Sequence, residues 1–345
     1  MNDFATNLIH WQRMHGRNAL PWQGGNAYQV WVSEIMLQQT QVATVIPYYQ
    51  RFLAAFPTVT ALAAASEDQV LTHWSGLGYY TRARNLYRAA QHIMQQHTGN
   101  FPHSYDSIVA LPGIGRSTAA AICALALKQR HAILDGNVKR VLARYHAIKS
   151  YPGEKKTEAL LWQHAEALLP TQDIVAYTQG LMDLGALVCT RSKPLCSACP
   201  VQRNCAAYQQ GITAQLPAPR PRKALPERHS TFILLLNGND ILLERRPATG
   251  IWGGLWCPPQ VDDIKDAGPY CAQYYGADAE HARVLPVFTH TFTHFKLHIT
   301  PWRLQVQHKH TQAAEPGQIW LAVEDALQAA IPAPVRKLLL GLQQQ

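Results

Sequence analysis

Two carboxylates and four thiols are the groups in this chain placed to do chemistry. Glu34 lies in "VWVSEIMLQQTQV" (Val30–Val42). On a helix it shares a stripe with Val30 and Trp31 behind it and Leu37 ahead. A carboxyl among large apolar groups is poorly solvated, which raises its pKa toward that of a general acid. A helix glutamate satisfied by local partners is the plainer reading of the same stretch. Asp135, in "ILDGNVKRVLARY", stands where a helix N-cap would. The helix N-terminus favours the anion, so Asp135 is expected to stay charged at neutral pH and able to steady a positive sugar carbon. One acid that can be protonated and one that remains ionised make the pair needed to cleave a glycosidic bond through an oxocarbenium-like state.

The thiols are Cys189, Cys196, Cys199 and Cys205, spaced C-x6-C-x2-C-x5-C in "CTRSKPLCSACPVQRNC". The first residues, "MNDFATNLIHWQRMHGRNALPW", show no basic-then-apolar signal pattern, and no apolar run approaches the roughly 18 residues of a membrane span. A cytoplasmic protein is therefore expected, with no membrane partner, and in that compartment stable disulfides are rare. Structural zinc modules usually carry two C-x2-C pairs, and only one is present. A [4Fe–4S] cluster also takes four thiolates and accepts looser spacing. Spacing alone leaves zinc and iron–sulfur level. Arg191, Lys193 and Arg203 lie in the loop, suited either to phosphates or to balancing thiolate charge.

These groups need a scaffold, and the chain changes texture once. Residues 1–225 carry a net charge of +10 and residues 226–345 of −1, so the first part suits a polyanionic partner. That part reads as successive helices. "SEDQVLTHW" opens on a capping box from Ser66 to Gln69, "TRARNLYRAAQHIM" sets Leu86, Ala90 and Ile93 at helical spacing, and "VKRVLARY" does the same with Val138, Val141, Leu142 and Tyr145. "ALPGIGRSTAAAICALAL" places Gly113 and Gly115 between two apolar helical stretches. Glycine there either ends a helix or exposes backbone N–H groups as a phosphate seat. "QLPAPRPRKALPERHS" (Gln215–Ser230) reads as a Pro-rich linker. Beyond it, "TFILLL" and "ILLERR" flank Asn237-Gly238-Asn239-Asp240, a hairpin signal. "RVLPVFTHTFTHFKLHITPWRLQVQ" is strand-rich, and "PAPVRKLLLGLQQQ" reads as a closing helix.

The four cysteines after "MDLGALVCTRSKP", with the L-P-G-x-G turn and the aspartate beyond it, resemble the helix-hairpin-helix DNA glycosylases related to endonuclease III. The Glu34 stretch, "SGLGYYTRARN" and the C-terminal region closely resemble the adenine DNA glycosylases of the MutY family. The resemblance covers nearly the whole chain. It implies an all-α helix-hairpin-helix glycosylase domain over residues 1–214 with a [4Fe–4S] cluster loop at 189–205. A linker at 215–227 and an α+β Nudix-like domain at 228–345 would follow.

By the same resemblance Glu34 protonates the leaving adenine, Asp135 stabilises the sugar cation with support from Asn137, and the four cysteines ligate the cluster. Gly113, Gly115 and Ser117 lie against the DNA backbone. Gln39 and Tyr79 wedge into the base stack, with Arg82, Arg84 and Arg88 near phosphate or on a solvated face. Trp22 and Gln179 line the adenine pocket, and Phe292, Thr293 and His294 read 8-oxoguanine, with threonine in place of the family's usual serine. Endonuclease III-type enzymes have lysine where "GRSTA" has Ser117, so hydrolysis without strand cleavage is implied. Lys139, nearby in sequence, leaves some lyase activity open. The C-terminal region retains "GIWGGLWCPPQ" but lacks the acidic R-E-x-x-E-E box of Nudix hydrolases, which implies binding rather than diphosphate hydrolysis. The implied partner is double-stranded DNA holding adenine opposite 8-oxoguanine or guanine, engaged by a monomer. Two rivals are a bifunctional glycosylase/lyase and a zinc-stabilised DNA-binding protein without activity.

Overall fold

The computed structural model describes residues 3–220, 224–307 and 317–343; positions 221–223 of the expected linker lie outside them. Along the chain the helices are α1 (Asp3–His15), α2 (Ala27–Leu37), α3 (Val42–Ala55), α4 (Val59–Ala64), α5 (Glu67–Trp74), α6 (Thr81–His97), α7 (Tyr105–Val109), α8 (Arg116–Leu127), α9 (Gly136–Tyr145), α10 (Lys155–Leu168) and α11 (Ile174–Asp183). A π-helical turn, Leu184–Val188, and the short α12 (Ala206–Gln209) follow. The strands are β1 (Glu227–Asn237), β2 (Asp240–Arg245), β3 (Trp256–Cys257), β4 (Gln260–Val261), β5 (Arg283–Val284), β6 (Phe288–Thr291), β7 (Lys296–Gln305) and β8 (Gln318–Ala322). They are accompanied by α13 (Ala267–Tyr275), α14 (Val323–Ala326) and α15 (Ala333–Leu342).

The chain divides into two compact units, Met1–Ala64 with Asn85–Arg222, and Ala65–Arg84 with Lys223–Gln345. The first is helical throughout its described residues. Its main core joins Phe4 and Leu8 of α1, Val138, Val141 and Leu142 of α9, Leu161 of α10 and Tyr177 and Leu181 of α11. These positions recur every three or four residues, so each helix turns an apolar stripe inward. The α2 start is a capping box, in which Asn26 accepts from the Gln29 N–H while the Gln29 side chain accepts from Asn26 N–H.

In the second unit β1 and β2 pair as a hairpin through Gly238, at φ +58°, as the Asn-Gly-Asn-Asp signal predicts. Alternation along β1 sends Phe232, Leu234 and Leu236 to one face and Ile233 and Leu235 to the other. Val335 and Leu339 of α15 cover the first face, and Ala267, Cys271 and Tyr275 of α13 cover the second. β7 runs parallel to β1 over Glu227–Leu236. A parallel neighbour needs a crossover connection, and α13 lies within it.

Residues 65–84, which the sequence reading places in the helical domain, group by contacts with the C-terminal region. The contacts responsible are long-range: Arg245 to Asp68 at 2.6 Å, the Tyr80 hydroxyl to Ile331 O at 3.3 Å, and the Arg84 guanidinium to Gly253 O. The Ser66–Gln69 capping box is present at the start of α5.

The α7–α8 turn depends on Gly113. It adopts φ +78°, and a Cβ built there would stand 2.6 Å from Asn85 Cβ. Gly115, at φ −91°, has nothing within 4 Å of that position. Gly113→Ala should therefore cost roughly 2–4 kcal/mol in guanidinium denaturation. Gly115→Ala should cost less than about 1 kcal/mol.

Candidate active site

Glu34 sits near the end of α2, between the fully buried Trp31 and the buried Ile35 and Met36. Its own side chain is half-buried. Removal from water raises its pKa from 4.5 to about 8, and the negative charge of Asp135 adds to the rise. At neutral pH it is therefore mostly the neutral acid. The two carboxyls, 101 positions apart in sequence, are near enough for their charges to interact.

Asp135 is the N-cap of α9, and its Oδ1 accepts from Val138 N–H at 2.7 Å. A second backbone bond, from Asn137, and the charges of Arg140 and Lys139 favour the anion. Burial outweighs them, so the pKa of Asp135 is raised above its usual value. The N-cap N–H groups thus act on a group that the fold also takes out of water. The contrast between the acids survives in kind, since burial and a neighbouring anion both act against the charged form of Glu34.

Ser117 braces this loop: its Oγ accepts from the N–H of Leu134, the residue before Asp135, at 2.9 Å. Lys139 Nζ donates to Glu158 Oε1 at 2.8 Å, so its amine is engaged as an ion-pair cation. Asn137 is held by Arg140, whose Nη2 donates to Asn137 Oδ1 at 2.8 Å and to Gly185 O at 2.7 Å, and whose Nε donates to Cys189 O at 2.8 Å. Arg140 thus fastens α9 to the π-helical turn and to the first cysteine. Gly185 allows the approach, since a Cβ there would lie 2.6 Å from Asn137 Cβ. Arg144, one helical turn further, is buried and donates to Thr190 O at 2.7 Å and to Cys189 Sγ at 3.3 Å. Sequence reading took the apolar stripe of "VKRVLARY" and passed over both arginines. Their i, i+4 spacing beside the cysteine loop was the available signal.

The four cysteines line one almost wholly apolar cavity with Val141, Leu184 and Tyr208. None is in a disulfide. Four thiols lining one cavity are a donor set that a [4Fe–4S] cluster or a structural zinc ion would accept. Arg144 near Cys189 would offset thiolate charge.

Trp22 and Gln179 do line one cavity, of about 690 Å³, together with Val30, Asn18 and Lys128. Glu34 follows Val30 by one turn of α2 but neither carboxyl is part of that lining. Gln179 is buried, and its Nε2 donates to Asp183 Oδ1 at 2.8 Å, which also pairs with Arg17 Nε at 2.7 Å. The amide is thereby oriented. Gln39 is exposed at φ +57° and Tyr79 is 47% exposed at φ +48°, each displayed on a left-handed turn residue of its own unit. In the β6–β7 turn, Phe292 N–H donates to Phe295 O at 2.9 Å. Phe292 is half-buried against Phe295 and Trp252, with centroids at 4.5 and 5.4 Å, while Thr293 and His294 are exposed at the tip. Phe292 is thus an anchor and the other two are the presented groups.

Comparison with known proteins agrees with this arrangement. The profile of a family described as HhH-GPD superfamily base excision DNA repair protein matches residues 32–167, and that of the NUDIX domain matches residues 231–341. The structure of a thermostable thymine-DNA glycosylase aligns with a TM-score of 0.55 at 27% identity, covering 60% of this chain and 95% of that one. A non-covalent endonuclease III–DNA complex shares the fold, with a TM-score of 0.51 at 19% identity over 59% of this chain and 94% of that one. Fold and site together define a DNA glycosylase of the helix-hairpin-helix, endonuclease III-like class, extended by a Nudix-like domain. An adenine DNA glycosylase of Buchnera aphidicola subsp. Schizaphis graminum is 38% identical over 339 residues, covering 97% of each chain. The chain belongs to the adenine DNA glycosylase family.

The charge coupling has a measurable sign. The folded protein keeps the Glu34 proton that the unfolded chain releases above pH 4.5. Stability should fall as pH rises from about 4.5 through about 8. Denaturation across that window should show the decline, and Glu34→Gln should remove this component of it. Asp135→Asn should move the Glu34 midpoint, followed by NMR of the labelled carboxyl, downward.

Proposed function

We propose that this protein hydrolyses the N-glycosidic bond of adenine mispaired with 8-oxoguanine or guanine in duplex DNA, as a monofunctional glycosylase of base excision repair. The observation that carries the reading is the meeting of Glu34 and Asp135: one carboxyl kept protonated to about pH 8, the other carrying backbone N–H bonds and nearby cations that favour its anion. Membership of the adenine DNA glycosylase family supports the choice of base.

The adenine must leave the duplex first, because C1′ is inaccessible within the stack. Glu34 donates its proton to a ring nitrogen of the flipped adenine. The C1′–N bond then breaks with its electron pair leaving on the base. Asp135 stabilises the resulting sugar cation. Water adds at C1′ and yields its proton to the Glu34 carboxylate, restoring the acid and leaving an abasic site. Ser117 offers a hydroxyl committed to the Asp135 loop, and Lys139 is paired with Glu158, so neither supplies a free amine for imine formation. This favours hydrolysis over the glycosylase/lyase alternative.

Cys189, Cys196, Cys199 and Cys205 would hold a [4Fe–4S] cluster, which when bound cross-links the loop and fixes Arg191, Lys193 and Arg203 relative to α9. The exposed Thr293 and His294 on their aromatic anchor are suited to reading the base opposite adenine. Without an acidic magnesium box, the Nudix-like domain serves as a binding module. A monomer acting on the cytoplasmic nucleoid completes the reading. Among the described residues no helix is long and apolar enough to cross a membrane.

Duplexes with adenine opposite 8-oxoguanine, guanine, thymine or cytosine test the assignment. Excision revealed by alkali is expected in the first two, with an intact strand before alkali. No excision opposite 8-oxoguanine would overturn it. Glu34→Gln should lower the single-turnover rate by roughly 10²–10⁴-fold with DNA affinity kept. Aerobically purified protein should be brown and hold about four iron and four sulfide per chain; stoichiometric zinc in a colourless protein would refute the cluster.

A further inference from the structure

Of the three arginines in "TRARNLYR", only Arg88 is exposed; Arg82 and Arg84 are 8% and 6% accessible. Arg84 is anchored by Gly253 O and the Thr81 hydroxyl. Arg82 is placed differently, with its guanidinium against the turn that displays Tyr79 and the end of α5 before it. Its Nη2 donates to Leu77 O and to Gly78 O, each at 3.2 Å. Its guanidinium carbon lies over the Trp74 ring at 5.3 Å and over the Tyr79 ring at 5.4 Å. Trp74 Nε1 donates to the same Gly78 carbonyl at 3.2 Å, and the Arg82 N–H itself bonds to Tyr79 O at 2.9 Å.

The turn is an unfavourable one to build. Gly76, Gly78 and Tyr79 have φ of +101°, +70° and +48°. Glycine adopts such angles freely, whereas a residue with an aromatic side chain does so against its preference. Tyr79 is nonetheless held there about half exposed, which needs a partner that fixes both the backbone and the ring. A planar cation does both at once. Its N–H groups satisfy the carbonyls of the turn while its face attracts the two aromatic rings. Desolvation lowers the Arg82 pKa only to about 10, so the group remains a cation at neutral pH.

We propose that Arg82 is a positioning residue that clamps the Leu77–Tyr79 turn, so that the Tyr79 ring is preset for insertion into the base stack before DNA is bound. The proposal rests on Tyr79 being the wedge of the reaction proposed above. A preset ring enters the stack without first being ordered, so Arg82 governs the base-flipping step rather than general affinity for duplex. Lysine does not replace it, because a point-charge ammonium cannot both lie flat over two rings and keep the fixed donor geometry on the carbonyls.

The test is a double-mutant cycle on the full-length protein, with Arg82→Lys, Tyr79→Ala and the double variant. Two readouts are taken: single-turnover adenine excision opposite 8-oxoguanine, and the fluorescence rise of 2-aminopurine next to the target adenine, which reports unstacking. Affinity for undamaged duplex and the visible absorbance serve as controls. Tyr79→Ala should reduce both readouts at least tenfold, and Arg82→Lys should reduce both severalfold with the controls unchanged. In the Tyr79→Ala background the same arginine change should add less than twofold. An undiminished arginine effect in that background would overturn the proposal, while leaving the wedge role of Tyr79 intact. A Tyr79→Ala variant with full activity would sink the wedge reading itself and this role with it. Should Arg82→Lys fail to accumulate, Arg82→Gln enters the same cycle, since its amide keeps a donor to the turn and loses the cation over the rings.

Discussion

A carboxyl group that stays protonated at neutral pH has to be kept from water, and the helical unit is organised around that requirement at Glu34. The side chain sits on a helix whose neighbouring positions, Trp31, Ile35 and Met36, are buried almost completely. The charge of a second carboxyl, Asp135, adds to the penalty on its charged form. Neither condition is met by a surface helix. The capping box at Asn26 and Gln29 fixes where α2 begins, and so which turn carries the acid. The burial of α2 fixes how acidic it is. A single desolvated proton donor therefore imposes demands on packing well beyond the reacting atoms.

Asp135 shows the converse problem. An anion useful to a developing sugar cation must be close to it, hence withdrawn from solvent, yet must not take up a proton. The structure meets this partly, with two N–H groups of α9 and two nearby cations, and burial still raises the pKa. The loop is rigid because it is tied from both directions. Ser117 binds the backbone of Leu134, and Arg140 joins Asn137 to Gly185 and Cys189. The cysteine loop is thus mechanically continuous with α9, through a π-helical turn that a glycine brings against Asn137. A cluster that orders this loop would order the aspartate as well.

The second unit applies the same logic to recognition. A sheet packed on both faces gives a stiff base, and the β6–β7 turn rises from it with Phe292 as its half-buried foot and Thr293 and His294 exposed. Tyr79, on the segment that groups with this unit, is likewise displayed by groups that are themselves buried. In both places an exposed residue is held by packed aromatic and cationic neighbours rather than left on a free loop.

Much of this was legible in the chain. Apolar period revealed the helices and the strand faces, turn chemistry marked the Gly113 hairpin and the Asn237–Asp240 turn, and cysteine spacing marked a thiolate site. These are local signals, each carried by residues within a turn or two of one another. What needed the tertiary structure was every property that sums over distant neighbours. Arg82 and Arg84 look like phosphate contacts in sequence because a charge run has no mark of what covers it. Residues 65–84 read as part of the helical domain because their period is helical, and only Asp68–Arg245 and Tyr80–Ile331 reveal the other allegiance. Asp135 reads as an ordinary charged N-cap because a cap is a local motif, whereas desolvation is not. Sequence alone determined which groups are present and which element carries each. The fold decided which of them lose water and which face one another, because the energy of a buried charge depends on everything packed around it and not on the few residues beside it in the chain.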